Sequence, residues 1–474
     1  MLVVPSDTNM KPDRKDLYQF LVACQQVSVE KECPQIATLS LELPPLDPLA
    51  VLQAIAQPED PHFYFENGNK GEAIAAIGAA ITFHVPSGSA RFGKAQTFIQ
   101  SCLANTITTG ATDLPFAGPH FFCNFTFFDD LRPPESAFPC ATVLLPRWQV
   151  ARCRNRSVFV ANFSLSPRDN IKALHQDLCN KLTQIRWANS RWLDPVNFPN
   201  QSFQSHDFKP TANFRKSVYS ALNRINNKTL NKIVLADAID LNFPLPINLV
   251  KSLNNLRRLY PDCYTFATGN GGGTNFIGAS PERLLAIYNH QLITDALAGS
   301  APRGKTSGED AELAKLLLSS EKEIHEHRVV IDFICDRLTR LGLTPNVPPQ
   351  LLLLQLSNIQ HLWTPIQAPL PPGIHPLDIL ADLHPTPAVA GVPRDTACQE
   401  IRRYEAFDRG LYAAPLGWID GYGNCEFIVG IRSALIEGDR ARLYAGAGIV
   451  AGSDPDKELA EVQLKLKTLL KALV

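Results

Sequence analysis

Two pairs of glutamates in this chain have the spacing of metal ligands. Glu323 and Glu326 form the first pair, and Glu458 and Glu461 form the second, near the C-terminus. Residues three apart on an α-helix share a face, so two helices placed side by side would offer four carboxylates around one point. Carboxylate oxygens are preferred ligands of Mg²⁺, which proteins hold together with anionic substrates. The spacing therefore predicts a Mg²⁺ site between two helices.

Helix signals surround both pairs. Ser320, followed three residues later by a glutamate, is a capping-box pattern. It predicts a long helix that runs to about Leu341, where Gly342 can end it. Asp454 as N-cap and Pro455 in the first turn predict a second helix at the C-terminus. Both glutamate pairs are therefore expected on helices.

Single residues in the C-terminal half are candidates for acid–base chemistry or anion binding. Lys232 opens the apolar strand K-I-V-L-A, where burial would favour a neutral amine that could act as a base, although lysines at strand ends are more commonly solvated. Glu282 follows a turn and could instead pair with its neighbour Arg283. His384 lies in a Pro-rich loop and could be a structural histidine. Arg432 ends an apolar strand, where a guanidinium calls for a carboxylate from the protein or a ligand.

Residues 299–306 match the phosphate-loop pattern G-x-x-x-x-G-K-[ST] letter for letter. That loop requires a helix beginning at the Lys-Thr pair, so that the N-terminal amides of the helix face the phosphates. Here Gly308 weakens a helix, and Glu309 and Asp310 add negative charge. The sequence therefore predicts that no phosphate-binding helix begins at this point. The glycine-rich residues 269–273 are explained by a hairpin turn between two strands.

The composition excludes several classes of protein. The chain has 474 residues, 45 Lys and Arg against 46 Asp and Glu, and 45% hydrophobic residues. It lacks the basic excess of a nucleic-acid binder and suits a soluble protein with a large core. No apolar run reaches the roughly 18 residues that span a bilayer, and the N-terminus lacks a signal-peptide pattern. We therefore expect a cytoplasmic protein with neither nucleic acid nor membrane as a partner.

The eleven cysteines occur singly and never as C-x-x-C. This distribution argues against structural zinc and against a disulfide scaffold. We expect buried free thiols, which behave as small apolar side chains.

Strand and helix patterns follow one another without a regular β-α rhythm. β-like runs fall at residues 63–65, 73–83, 121–128, 143–145 and 158–163. Helices are predicted at 214–225 and 246–260, and further strands at 232–241, 264–267, 276–277 and 284–288. The aperiodic residues 189–209 predict a connection between two halves. We therefore divide the chain into a segment of unknown role at 1–60, an N-terminal part of the fold at 61–207 and a C-terminal region at 208–474.

Nine ordered segments resemble the chorismate-utilising family, which includes isochorismate synthase, salicylate synthase and the large subunits of anthranilate and aminodeoxychorismate synthase. The segments are K-I-V-L-A (232–236), I-G-A-S-P-E-R-L-L (277–285), L-A-G-S-A-P-R (297–303), S-E-K-E-I-H-E-H (320–327), H-P-T-P-A-V-A-G-V-P (384–393), G-W-I-D (417–420), I-R-S-A (431–434), A-G-A-G-I-V (445–450) and E-L-A-E-V-Q-L-K (458–465). The likeness covers about residues 208–473 and continues more faintly back to residue 60. It implies an α+β fold: a single large chorismate-binding domain of two antiparallel β-sheets packed face to face, with surrounding helices and the active site in the cleft.

The resemblance also implies roles for individual residues. Lys232 would remove a proton from the water that attacks ring carbon C2, and Glu282 would protonate the departing C4 hydroxyl. The cofactor would be Mg²⁺, bound by the glutamates 323, 326, 458 and 461. Chorismate would be held by residues around the cleft: Gly299, Ser300, His384, Thr386, Ala388, Tyr412, Arg432, Gly446 and Lys465.

The nucleophile separates the branches of this family. Lys232 stands where the ammonia-using anthranilate synthases carry glutamine, and Ala298 stands where aminodeoxychorismate synthase carries a nucleophilic lysine. Water is therefore the expected nucleophile, and no glutamine amidotransferase subunit is expected. One departure is Asp237, at a position where the family often has arginine. Any ion pair made by that arginine must be replaced or lost here.

The resemblance implies an isomerase with isochorismate synthase activity that feeds quinone (menaquinone or phylloquinone) or siderophore synthesis. The nearest alternative is salicylate synthase, which makes the same intermediate and then eliminates pyruvate. A phosphate-loop nucleotide-binding protein and a catalytically silent chorismate-binding module are alternatives from other classes. The presence of Lys232, Glu282 and all four glutamates argues against the silent module.

Overall fold

The computed structural model describes residues 2–3, 14–130, 136–188, 213–357 and 359–473. Strands within these residues are Leu2–Val3 (β1), Gln35–Leu43 (β2), Pro61–Asn67 (β3), Glu72–Val85 (β4), Thr106–Gly110 (β5), His120–Phe125 (β6), Ala141–Cys153 (β7), Arg156–Leu165 (β8), Lys232–Asn242 (β9), Tyr264–Asn270 (β10), Thr274–Ser280 (β11), Arg283–Tyr288 (β12), Gln291–Pro302 (β13), Leu352–Gln355 (β14), Ile359–Pro369 (β15), Gly391–Val392 (β16), Pro415–Asp420 (β17), Cys425–Val429 (β18), Ser433–Glu437 (β19) and Arg440–Val450 (β20). The predicted connection at 189–209, and with it the boundary near residue 208, lies outside the described residues.

Helices pack around these strands. They are Arg14–Glu30 (α1), Pro48–Ile55 (α2), Arg91–Ala104 (α3), Ile171–Ala188 (α4), Asn213–Asn226 (α5), Leu249–Leu259 (α6), Ser307–Ser319 (α7), Glu321–Arg340 (α8), Pro376–Leu383 (α9), Arg394–Tyr404 (α10) and Pro455–Leu473 (α11). Helix α8 contacts β13, α11 contacts β20, and α6 contacts β10 and β11. Within the described residues, none of the helices combines the length and apolarity needed to cross a membrane.

The long strand β7 joins two arms of paired strands. Along one edge, β7 pairs with β4, which leads through β3, β10, β11, β19, β20 and β9 to β16 and forms the first arm. Along the other edge, residues 141–144 of β7 pair with β6, which leads through β17, β18, β12, β13 and β15 to β14 and forms the second arm. Every pairing within the two arms is antiparallel.

The two arms face each other across an apolar core. The rings of Phe63 in β3 and Phe122 in β6 have centroids 5.0 Å apart. The Asn124 side-chain amide in β6 of the second arm donates a hydrogen bond to the Thr268 hydroxyl in β10 of the first arm over 3.1 Å. Aromatic and aliphatic side chains from both arms belong to one buried cluster. This arrangement confirms the predicted α+β class.

The N-terminal residues take part in the same fold. β2 lies between β5 and β8, and β8 pairs with residues 148–153 of β7. Residues 35–43, which fall in the segment of unknown role, are therefore built into the sheet. All eleven cysteines are free, which agrees with the absence of a disulfide framework from the sequence pattern.

Local signals position the elements that form the cleft. The Ser320 hydroxyl accepts a hydrogen bond from the Glu323 amide and caps α8, as the capping-box pattern predicts. Asp454 accepts hydrogen bonds from the amides of residues 456 and 457 at the start of α11. The Asn270 side chain accepts hydrogen bonds from the amides of Gly272 and Thr274, which closes the predicted hairpin between β10 and β11. These helix starts and this hairpin are confirmed.

A buried arginine joins β9 to the segments that follow α9 and α10. The Arg409 guanidinium is 1% exposed and donates to the carbonyls of Val234 and Val389 over 2.9 and 2.8 Å. It also pairs with both carboxylate oxygens of Glu405 at 2.6 and 2.8 Å. Glu405 in turn accepts a hydrogen bond from the Ala236 amide over 2.8 Å. One ion pair therefore fixes the backbone of β9 beside the cleft.

We expect Arg409→Met to lower the free energy of unfolding by about 3–5 kcal/mol, because it leaves the buried Glu405 without its positive partner. Urea denaturation followed by circular dichroism measures the change. The matched control is Arg442→Met, which removes an ion pair with Asp240 whose partners are much more exposed, and should cost no more than about 1 kcal/mol. Equal losses in the two variants would contradict this account of Arg409.

Candidate active site

A cleft opens between the far ends of the two arms. Strands β9 and β20 of the first arm form one wall, β13 of the second arm forms another, and α8 and α11 supply charged side chains. The cleft has about 840 Å³ of empty space, part of it continuous with solvent.

The central contact of the cleft is an ion pair between Lys232 and Glu326. Lys232 is 2% exposed on β9, and its ammonium nitrogen lies 2.7 Å from a carboxylate oxygen of Glu326 on α8. Burial acts to raise the pKa of Glu326, but Lys232 outweighs burial and lowers that pKa below its usual value. Gly448 on β20 gives the pair room, since a Cβ there would lie 3.0 Å from the Glu326 oxygen. The solvated strand end considered for Lys232 is excluded.

Glu282 is the second titratable group of the cleft wall. It lies between β11 and β12 and is 4% exposed. The Val429 amide donates to the Glu282 carbonyl, and the Glu282 amide donates to the Ser280 hydroxyl, so its backbone is fixed. Burial raises the pKa of Glu282 to about 8, against the opposing effect of Lys232. At neutral pH this carboxyl is therefore mainly protonated and able to donate a proton.

The four glutamates of the two helices face a common space. Burial and then the charge of Glu326 raise the pKa of Glu323. Burial and then the charge of Glu461 raise the pKa of Glu458. Lys465 on α11 pairs with Glu461 at 2.7 Å. The two pairs therefore lie close enough for their charges to interact, and three lysines, Lys232, Lys322 and Lys465, lie among them.

These carboxylates fit a hard divalent cation in their chemistry. Among the residues that the structure describes, no group of three or more His, Cys, Asp or Glu side chains is spaced to hold a metal ion. Glu326 and Glu461 are instead paired with lysines. The raised pKa values of Glu323 and Glu458 reflect, after burial, the repulsion between carboxylates that a bound cation would relieve.

A guanidinium lies on another side of the cleft. Arg432 follows β18, and its side chain donates to His361 Nε2 over 3.2 Å. His361 Nδ1 lies 2.9 Å from the Ser300 hydroxyl. Burial and the charge of Arg432 lower the pKa of His361 well below its usual value, so this histidine is neutral. The relay orients both Arg432 and Ser300 in the cleft.

Backbone groups contribute to the same wall. Gly299 has a positive φ of 76°, and a Cβ there would meet a Glu323 oxygen at 3.1 Å. The neighbouring Ser300 amide donates to that carboxylate over 3.2 Å. On β20, the Gly446 carbonyl accepts a hydrogen bond from Lys465 over 2.9 Å. Other predicted substrate-binding residues that line the cleft are Ala388, Tyr412 and Arg432.

His384 and Thr386 are predicted substrate-binding residues that do not line the cleft. His384 Nε2 hydrogen-bonds the Phe127 carbonyl over 3.0 Å, and its ring packs against Phe92 and Phe127. Burial lowers the pKa of His384 to about 3, so it is a neutral core histidine. Thr386 is buried, and its carbonyl accepts hydrogen bonds from the amides of Val389 and Ala390. Both residues shape the loop that brings Ala388 to the cleft.

The phosphate-loop lookalike needs one correction. A helix does begin immediately after Thr306, which caps α7 through its side chain, so the expectation that Gly308 and the two acids interrupt a helix here was wrong. The acids Glu309 and Asp310 favour the first turn of that helix. However, Asp310 accepts a hydrogen bond from the Gly304 amide, and Glu309 accepts one from the Lys305 amide. The loop's own carboxylates thus occupy amides that a phosphate would need.

The polar residues of the cleft wall that sequence reasoning missed include His361 and Arg409. His361 lies in the short motif Q-H-L-W of β15, which carries no catalytic signature. Arg409 lies in a polar segment where an arginine usually indicates a solvated surface. Its charged partner Glu405 is only four residues away, and this spacing was the available signal. The partners of His361, Ser300 and Arg432, lie 61 and 71 residues away and could not be paired without the fold.

Comparison with known proteins agrees with this fold. A sequence model described as "Chorismate binding enzyme" matches residues 20–474. The chain is 34% identical over 446 residues to "Salicylate biosynthesis isochorismate synthase" of Pseudomonas aeruginosa, covering 93% of this chain and 90% of that protein. It is 31% identical to isochorismate synthase MenF of Escherichia coli, covering 92% and 94%.

A solved structure of the menaquinone-specific isochorismate synthase MenF from Escherichia coli has the same fold. The two superpose with a TM-score of 0.75 at 29% sequence identity, covering 96% of this chain and all of that one. The match of the family model to nearly the whole chain and the two full-length relatives lead to one assignment. The chain belongs to the chorismate binding enzyme family.

Proposed function

We propose that this protein is an isochorismate synthase. It converts chorismate to isochorismate by adding water at ring carbon C2, with migration of the double bonds and loss of the C4 hydroxyl. The observation that carries the proposal is a buried lysine and a buried, protonated carboxylic acid in the wall of one cleft. Two relatives that align with more than nine tenths of the chain are named isochorismate synthases, which supports the same activity here.

Lys232 serves as the base for the attacking water. Its amine takes one proton as the oxygen of that water bonds to C2. The ion pair with Glu326 orients the lysine side chain and fixes the position of its nitrogen in the cleft.

Glu282 serves as the acid for the leaving group. Its proton passes to the C4 hydroxyl, which departs as water, and the carboxylate left behind lies near the lysine that has just gained a proton. One proton enters at Lys232 and one leaves at Glu282, so the enzyme returns to its starting charge. Two groups of opposite protonation state around one substrate are the requirement for such a displacement.

Chorismate carries two carboxylates, and the cleft has cations for both. Arg432 and Lys465 offer N–H donors on different elements. Glu326 and Glu461, with Glu323 and Glu458, are the residues that would hold Mg²⁺. Mg²⁺ held there would supply positive charge for a substrate carboxylate. The product would enter quinone or siderophore synthesis, as the names of relatives say of those proteins.

Incubation with chorismate, Mg²⁺ and an ammonium salt, followed by chromatographic separation, tests the proposal. We expect isochorismate as the product, without any amidotransferase partner. Lys232 stands where the ammonia-using enzymes carry glutamine, and Ala298 presents only a methyl group at the cleft. Release of pyruvate with salicylate would assign the protein to the salicylate synthase alternative. Anthranilate or an aminodeoxy compound as the main product would refute the use of water.

Replacing the acid or the base should slow the reaction more than it weakens binding. We expect Lys232→Ala and Glu282→Gln each to lower kcat by a factor of about 10² to 10⁴, with a much smaller change in KM. In the wild-type enzyme, activity should fall as the pH rises through about 8, where Glu282 loses its proton. Steady-state rates between pH 6 and 10 measure this fall, which is the alkaline limb of the pH–rate profile. Its survival in Glu282→Gln would show that another group supplies the proton.

Removal of the divalent ion should abolish turnover. We expect chelator-treated protein to regain activity with Mg²⁺ or Mn²⁺ better than with zinc, because the four donors are carboxylates. Glu326→Gln and Glu461→Gln should lose most activity without unfolding and recover partly at raised Mg²⁺. Glu312→Gln, on the exposed side of α7, is the matched control and should behave like the wild type. Full activity after removal of all divalent ions would refute the metal site.

A further inference from the structure

Glu282 has an arginine as its immediate neighbour, yet the two do not pair. The guanidinium of Arg283, at the start of β12, donates to Asp295 Oδ1 on β13 over 2.8 Å. The indole of Trp363 on β15 donates to the same oxygen over 3.0 Å. The side chains of Arg283 and Asp295 are only 14% and 11% exposed. Three strands thus hold one charged group beside the proposed acid.

The ion pair between Arg283 and Asp295 fixes the position of the Arg283 guanidinium. Glu282 lines the cleft, and Arg283 does not. Within the described part of the chain, Asp295 is the carboxylate that hydrogen-bonds Arg283, and the buried Nε of Arg283 has no hydrogen-bond partner. Asp295 is therefore the main restraint on this guanidinium. A guanidinium turned toward Glu282 would favour the carboxylate over the acid.

Several other groups act on Glu282. Lys232 on β9 favours the ionised form of Glu282, whereas burial and Asp295 on β13 favour the protonated form. Tyr412, before β17, also interacts with Glu282, and its own pKa is raised mainly by burial. Further charged or titratable groups along the cleft are Glu326, His361, Arg409, Arg432, Tyr444, Glu461 and Lys465. Among the groups that act directly on Glu282, Asp295 is the one whose carboxylate pairs with the guanidinium of the residue next to the acid.

We propose that Asp295 is a positioning residue of this site: it holds the guanidinium of Arg283 away from Glu282, so that Glu282 keeps the proton it donates. The proposal rests on the proposed role of Glu282 as the acid. It assigns to Asp295 two effects of the same sign, since its negative charge disfavours a second carboxylate nearby and its ion pair restrains the adjacent cation.

Asp295→Asn tests the proposal, because asparagine can still accept the Trp363 hydrogen bond but carries no charge. We expect the alkaline limb of the rate profile to move to lower pH by about one unit or more, the size of effect that an opposite charge has at close range. At pH 8, kcat should therefore fall several-fold more than at pH 6, with little change in KM. An unchanged limb, or an equal loss at every pH, would overturn the proposal.

Two further variants separate charge from structural damage. Arg283→Met should not move the limb to lower pH. In the Asp295→Asn background it should reverse the part of the shift that the released guanidinium causes, while the part due to the lost charge of Asp295 remains. A limb as low in the double variant as in Asp295→Asn would refute the role of the guanidinium. Asp240→Asn removes a carboxylate from the exposed ion pair with Arg442 and should not move the limb.

The titration of Glu282 can also be followed without turnover. Infrared difference spectra of the carboxyl band, with Glu282→Gln to assign the signal, should show a lower pKa in Asp295→Asn than in the wild type. This measurement separates the two claims. Absence of turnover in the wild type would refute the proposed function alone, whereas an unchanged carboxyl titration in Asp295→Asn would refute the role of Asp295.

Discussion

The buried ion pair between Lys232 and Glu326 is the contact on which the rest of the site depends. Neither charge could be buried alone without a large cost, so β9 and α8 must meet at this point. Once α8 is placed, the helical turn before Glu326 brings Glu323 to the amide of Ser300 on β13. The pair therefore joins both walls of the cleft, and Gly448 is needed on β20 because a side chain would push the carboxylate away.

Two carboxyl groups near this lysine, those of Glu326 and Glu282, differ in protonation state. Burial acts to raise the pKa of both groups. Glu326 is in direct contact with Lys232, which lowers its pKa below the usual value, whereas for Glu282 burial outweighs the effect of Lys232 and raises the pKa to about 8. An acid and an anion thus coexist in one cleft without any difference in side-chain type.

Signals that depend on neighbouring residues were readable from the sequence, and signals that depend on distant ones were not. The cap of α8, the start of α11 and the hairpin at residues 270–274 follow from local hydrogen bonds, and the structure has them. The contacts of Arg409 with Val234 and of His361 with Ser300 cross more than 60 residues and needed the fold. The helix after Thr306 was missed because Gly308 was given more weight than a good N-cap and two acids in the first turn. His384 was grouped with the cleft residues by resemblance, although its alternative as a core histidine describes its contacts.

The pairing of β3 with β10 and of β6 with β17 has a consequence for how the chain can be divided. All the charged side chains of the cleft come from residues 232–465, yet two strands of that region have one edge covered by strands from residues 61–125. A fragment that began after the N-terminal half would expose both edges, together with the aromatic faces behind them. Unpaired edges of this kind recruit other chains. The N-terminal half, whose described residues contribute no charged group to the cleft, thus acts as an intramolecular protection against aggregation for the half that does.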